Sequence, residues 1–148
     1  MTSHPYLRAY MAGIVVPTLF LLIGLSAFCV VRFGYAVPVP LERVMVFPMA
    51  IVPNLFGLWN IFYVWLRPRR HLPIGVHGAL LPFVVAPLAV LLGTLLGLLS
   101  ITSRGFVYLQ AFTIPYPSLV TLFCFALTVY YLVWKYLVGF FNEVLGIA

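Results

Sequence analysis

The sequence predicts an all-α membrane protein, a bundle of four transmembrane helices, with a small two-stranded β-ribbon formed by the two non-cytoplasmic loops. Three observations lead there. The side chains are 65% hydrophobic, only 7% charged, and the mean hydropathy is +1.18, far outside the range of a water-soluble domain. No Asp, Glu, Lys or Arg lies between Arg8 and Arg32, Arg43 and Arg67, Arg70 and Arg104, or Arg104 and Lys135. Each gap exceeds the roughly 20 residues, at about 1.5 Å each, that carry a helix across a hydrocarbon core of about 30 Å. Finally, the cluster Arg67-Pro68-Arg69-Arg70-His71 separates two such runs and marks a membrane surface.

These gaps give helices at about 9–31, 41–66, 76–100 and 118–141 in one integral membrane domain covering 1–148. Eight Lys and Arg oppose only Glu42 and Glu143, for a net charge of +6. Because the cations flank the spans, the expected partners are anionic lipid headgroups, met by Arg67, Arg69 and Arg70, and not nucleic acid. With the amino terminus inside, Arg8, Arg67, Arg69, Arg70 and Lys135 fall on the cytoplasmic side, and Arg32, Arg43 and Arg104 outside. Both termini are then cytoplasmic, as in a bacterial inner membrane protein.

Span one carries Pro17, with Gly13, Gly24 and Ala27 as points of close approach to a neighbour; its apolar run is too long for a cleaved signal. In the first outer loop Phe33, Tyr35, Val37 and Val39 alternate with smaller or polar residues. In the second, Phe106, Tyr108, Gln110 and Phe112 do the same, which is the origin of the expected ribbon. Span two opens at Pro40 and Glu42, both suited to a first helical turn. It continues through Pro48, Pro53, Asn54, Gly57 and Asn60 to the aromatic group Trp59, Phe62, Tyr63 and Trp65.

Span three holds Pro82 and Pro87 and a stripe of small residues, Ala86, Ala89, Gly93, Gly97 and Ser100, in steps of three and four. Ala89, Gly93 and Gly97 are the expected helix-packing face, Gly93 and Gly97 forming a GxxxG motif. Span four is expected to be capped by Ser118. Along it Thr121, Thr128, Lys135 and Asn142 recur every seven residues as one polar seam.

The candidate site residues follow from depth. Asn54 and Thr128 lie near the midplane of their spans and are expected to hydrogen-bond to each other, or to form a solute site with Lys135. Lys135 lies near enough to the cytoplasmic end of its span, among Tyr130, Tyr131, Trp134 and Tyr136, to extend its ammonium to the headgroups. Cys29 and Cys124 stand in no CxxC or Cys/His pattern and read as buried small hydrophobes. His71 and His77 lack the facing partners that an axial pair for haem needs. No metal, cofactor or catalytic set is expected. The composition points first to a non-enzymatic membrane subunit or homo-oligomer, within a larger membrane complex or alone. A channel or transporter for a small solute or ion comes second, and a lipid-modifying or redox enzyme third, since helix number alone specifies no activity.

Overall fold

The computed structural model describes residues 4–36, 45, 47–69, 71–110 and 112–147. In chain order these form α1 (Pro5–Cys29) with a π-helical turn (Val30–Gly34), α2 (Phe47–Leu66), α3 (Ile74–Ala79) and α4 (Pro82–Leu95). Strands β1 (Leu99–Thr102), β2 (Gly105–Tyr108) and β3 (Phe112–Pro115) follow, then α5 (Tyr116–Leu132), a π-helical stretch (Val133–Val138) and α6 (Gly139–Val144). Four helical stretches are long and apolar enough to cross a membrane: Pro5–Gly34, Pro48–Leu66, Ile74–Leu95 and Tyr116–Val144. The chain divides into two compact units, one of Met1–Leu72 with Tyr136–Ala148, the other of Pro73–Lys135.

In the first unit α1 starts earlier than its apolar run suggests. Pro5 occupies the first turn, where a missing N–H costs no hydrogen bond. Pro17 is buried inside the helix, which continues past it. Helices α1 and α2 run antiparallel: Ala9 meets Asn60, Gly13 meets Phe56 and Gly57, and Gly24 meets Met45. Their backbones come closest at the two glycines. A Cβ on Gly13 would lie 2.6 Å from the Phe56 carbonyl oxygen and 2.9 Å from Gly57 Cα. Lipid gives no hydrophobic drive for helices to associate, so close backbone approach and dispersion carry this contact. Ala9, Ala12, Gly13 and Val16, spaced as one helical face, are all buried along it. The proposed start of α2 at Pro40 and Glu42 lies outside the described residues.

In the second unit the third span is shorter than expected and broken. Pro82 has no N–H to give to the carbonyl of Gly78, and Leu81 N–H takes that carbonyl instead at 3.0 Å. The tight turn at Leu80–Leu81 separates α3 from α4. The span then ends at Leu95, not at residue 100, because Gly97 takes a left-handed conformation (φ +69°). Gly97 N–H donates to Thr94 O at 3.1 Å and Leu98 N–H to Gly93 O at 2.8 Å, the paired bonds of a Schellman cap. The supposed GxxxG motif is therefore a helix terminus. Gly93 meets Leu99 of β1, Gly97 has open space around its Cα, and Ala89 is exposed on α4.

The strands form one antiparallel sheet in the order β1-β2-β3, with Thr102 opposite Gly105, and Tyr108 opposite both Leu99 and Phe112. This corrects the expected ribbon. All three strands come from residues 99–115, while Phe33 lies in a π-helical turn and Tyr35 in a bend. Val37 and Val39 lie outside the described residues. The alternation through Gln110 is not one strand either: Leu109 and Gln110 both have positive φ and turn the chain from β2 into β3. Tyr116 Oη bonds to Thr102 O at 2.7 Å, tying the first residue of α5 back to the sheet. Helix α5 begins at Tyr116 with Pro117 in its first turn, so Ser118 is a residue inside the helix and not its cap.

Candidate functional site

Among the described residues, the most deeply buried polar groups of the first unit are two carboxamides. Asn60, near the end of α2, is 0% exposed, and Asn142, on α6, is 3% exposed. They bond reciprocally: Asn60 Nδ2 donates to Asn142 Oδ1 at 2.7 Å, and Asn142 Nδ2 donates to Asn60 Oδ1 at 3.1 Å. The second hydrogen of Asn60 Nδ2 goes to the carbonyl of Ala9 on α1 at 2.8 Å. One side chain thus joins three helical segments. With no water to replace these bonds, an amide here must find partners within the protein.

The chain after Asn142 is held just as firmly. Gly146 (φ +65°) ends α6 with a second Schellman cap: Gly146 N–H donates to Glu143 O at 2.9 Å and Ile147 N–H to Asn142 O at 2.8 Å. The free carbonyl of Ile147 accepts from Arg67 Nη1 at 2.9 Å. Arg8 approaches the same turn, its Nη1 lying 3.7 Å from where a Cβ of Gly146 would be. Beside them the end of α2 carries an aromatic ladder. Trp59 and Phe62, then Phe62 and Trp65, have ring centroids 5.7 Å apart, and the Arg69 guanidinium lies 4.2 Å from the Trp65 ring centroid. Arg70 lies outside the described residues.

Asn54 has a cross-helix partner, but on α1. Tyr10 Oη donates to Asn54 Oδ1, and Asn54 Nδ2 donates to Ala50 O at 2.6 Å. Thr128 donates to Cys124 O of its own helix at 3.3 Å, as Thr121 does to Pro117 O at 3.2 Å. Lys135 is exposed, its Nζ 5.8 Å from the Tyr131 ring centroid. The expected polar seam is thereby dispersed. Thr121, Thr128 and Lys135 are exposed while Asn142 is buried, and a π-helical stretch, Val133–Val138, interrupts the uniform α-helix that the seven-residue repeat assumes.

In the second unit His77 is buried with its ring edge-on to Trp134, centroids 5.7 Å apart at 67°. Trp134 occupies the space that a side chain on Gly78 would need, and Tyr131 does so at Gly75. His71 is exposed. Cys124 is exposed and Cys29 half-buried, so neither is the enclosed hydrophobe expected of it. An open apolar groove of about 600 Å³ runs between Phe83, Pro87 and Val90 of α4, Ile101 of β1 and Phe123 of α5. Among the described residues no group of three or more His, Cys, Asp or Glu is placed to hold a metal ion.

The sequence named Asn142 as a seam residue and Asn60 only as one polar residue of span two. The missed signal is position: both lie within two helical turns of cations, Arg67 and Lys135, at the same predicted membrane surface. The chain matches no protein-family model, and no curated protein or solved structure shows significant similarity to it.

Proposed function

We propose that the chain is a non-enzymatic integral membrane subunit, working as a homo-oligomer or within a larger membrane assembly. The placement that fits is a bacterial inner membrane with both termini cytoplasmic and Arg67, Arg69 and Arg70 against anionic headgroups. The observation that carries this reading is the contrast between polar and apolar surface. The buried amides bond to one another and to Ala9 O, whereas α5 has no buried side chain among its residues and α4 has only Pro82. Phe83, Leu91, Val120 and Phe125 are each more than half exposed, a surface for lipid and neighbouring helices. A solute pathway through Asn54, Thr128 and Lys135 has less support. Asn54 engages Tyr10 and Ala50, Thr128 bonds its own helix, and Lys135 lies exposed over Tyr131.

The test is the intact mass of the protein purified in mild detergent, with any co-purifying chains. A defined oligomer or a stoichiometric foreign subunit is the expected result. A monomer that conducts ions or solutes once reconstituted in liposomes would replace this reading with the pathway.

A further inference from the structure

We infer that Arg8 and Arg67, which bracket the Gly146–Ile147 turn, form with Arg69 a binding site for the phosphate of an anionic lipid headgroup. The inference rests on the membrane-spanning reading above and deepens it by adding Arg8, from the start of α1, to a built site.

Three features carry it. First, the cations converge from different helices on one short segment. Arg67 Nη1 is bonded to Ile147 O at 2.9 Å, and Arg8 Nη1 lies 3.7 Å from the Cβ position of Gly146. Two guanidiniums gathered at one place repel each other unless an anion or helix dipole offsets them. The carbonyl end of α6 supplies part of that offset. Second, among the described residues no ion pair supplies the rest. Glu143 is the one acid there, and it is exposed, as are Arg8, Arg67 and Arg69. Third, the donors are held in place at headgroup level. Arg67 uses one N–H on a fixed carbonyl, and the Arg69 guanidinium lies 4.2 Å from the ring centroid of Trp65, an aromatic of the type that sits at membrane interfaces. A guanidinium keeps several further N–H groups in a planar fork that matches phosphate oxygens. The Asn60 and Asn142 pair fixes the segment on which both cations converge, so the site is prepared before a lipid arrives.

The experiment is native mass spectrometry of the full chain in detergent, titrated with phosphatidylglycerol, cardiolipin or phosphatidylcholine, with inorganic phosphate as a competitor. Arg8→Gln is the deciding variant, because Arg8 is exposed and its side chain takes no part in the bonds among Asn60, Asn142 and Ala9, so the variant is expected to keep the fold. The expected result is retention of phosphatidylglycerol or cardiolipin over phosphatidylcholine, with Arg8→Gln and Arg67→Lys each weakening it about fivefold. Arg32→Gln, at the other end of α1, is expected to leave it unchanged. Equal binding by wild type and Arg8→Gln, or an equal loss in Arg32→Gln, overturns the site while leaving the membrane reading intact. Displacement of the lipid by millimolar phosphate overturns the assignment of the ligand as a lipid. A protein that stays soluble and monodisperse without detergent overturns the membrane reading and the site together.

Discussion

Asn60 and Asn142, 82 residues apart in sequence, face each other amide to amide across the first unit and exchange two hydrogen bonds at 2.7 and 3.1 Å. Because Asn60 also reaches Ala9 O, this contact decides which face of α6 turns toward α2 and where α1 begins its descent alongside them. A carboxamide does not titrate, so the lock holds across the pH range in which side chains of ordinary acidity change charge.

Replacing either member with leucine strands the other in a buried site. Asn142→Leu leaves an unmet donor and acceptor on Asn60 and is expected to cost about 1 to 3 kcal/mol. The double variant is expected to cost less than the two single changes added together, by about 0.5 to 3 kcal/mol, as directly contacting groups do. Reversible unfolding in mixed detergent, followed by tryptophan fluorescence, gives the cycle. Strictly additive losses contradict a direct bond.

The α1 and α2 crossing gives a second expectation. Gly13→Ala sets a methyl 2.6 Å from a backbone carbonyl that cannot rotate aside, so the helices must separate, at about 1 to 3 kcal/mol. Gly24→Ala meets only the terminal methyl of Met45 at 3.1 Å, which swings away. The same unfolding assay ranks the two, and equal costs contradict the crossing point.

The four spans were legible because hydrophobic runs bounded by charge are read from composition alone. Gly13 was legible too, as a small residue on an apolar helix. The Asn60 and Asn142 pairing was not, because a seven-residue repeat projected on a uniform α-helix puts Asn142 on one face with Thr121, Thr128 and Lys135. The π-helical stretch Val133–Val138 breaks the uniform α-helix that this projection assumes, and nothing in Val-Trp-Lys-Tyr-Leu-Val announces it. Gly97 misled for a different reason: glycine serves both close packing and left-handed caps. The turn residues Thr102-Ser103-Arg104-Gly105, which fold β1 onto β2, were the available sign that the helix had already ended.

Gly97 separates those two roles. In a continuous helix alanine is tolerated better than asparagine. At φ +69° the order reverses, since asparagine adopts the left-handed conformation more readily. Gly97→Ala is expected to cost about 1 kcal/mol and Gly97→Asn less. Oligomer mass is expected to stay unchanged in both, and a more stable alanine variant contradicts the cap.

Tyr108, on β2, has its hydroxyl pKa raised above the ordinary value of 10.0 by partial burial, which disfavours the phenolate. The folded chain therefore holds this proton more tightly than the unfolded chain. Its contribution to stability is whole below pH 10.0 and is lost as pH rises through the folded pKa. Difference absorbance titration of wild type against Tyr108→Phe is expected to assign a late-ionising tyrosine to this position. An ionisation at or below the ordinary value contradicts its burial in the sheet.

The most direct measurement of the whole arrangement is accessibility of single cysteines placed at His4, Ser103 and Ile147 in a chain without Cys29 and Cys124. A membrane-impermeant maleimide is applied to spheroplasts and to inverted vesicles. Four membrane crossings predict that positions 4 and 147 react together in inverted vesicles and position 103 reacts in spheroplasts. Labelling of 4 and 147 from opposite faces, or of 103 from the same face as both, would contradict the account.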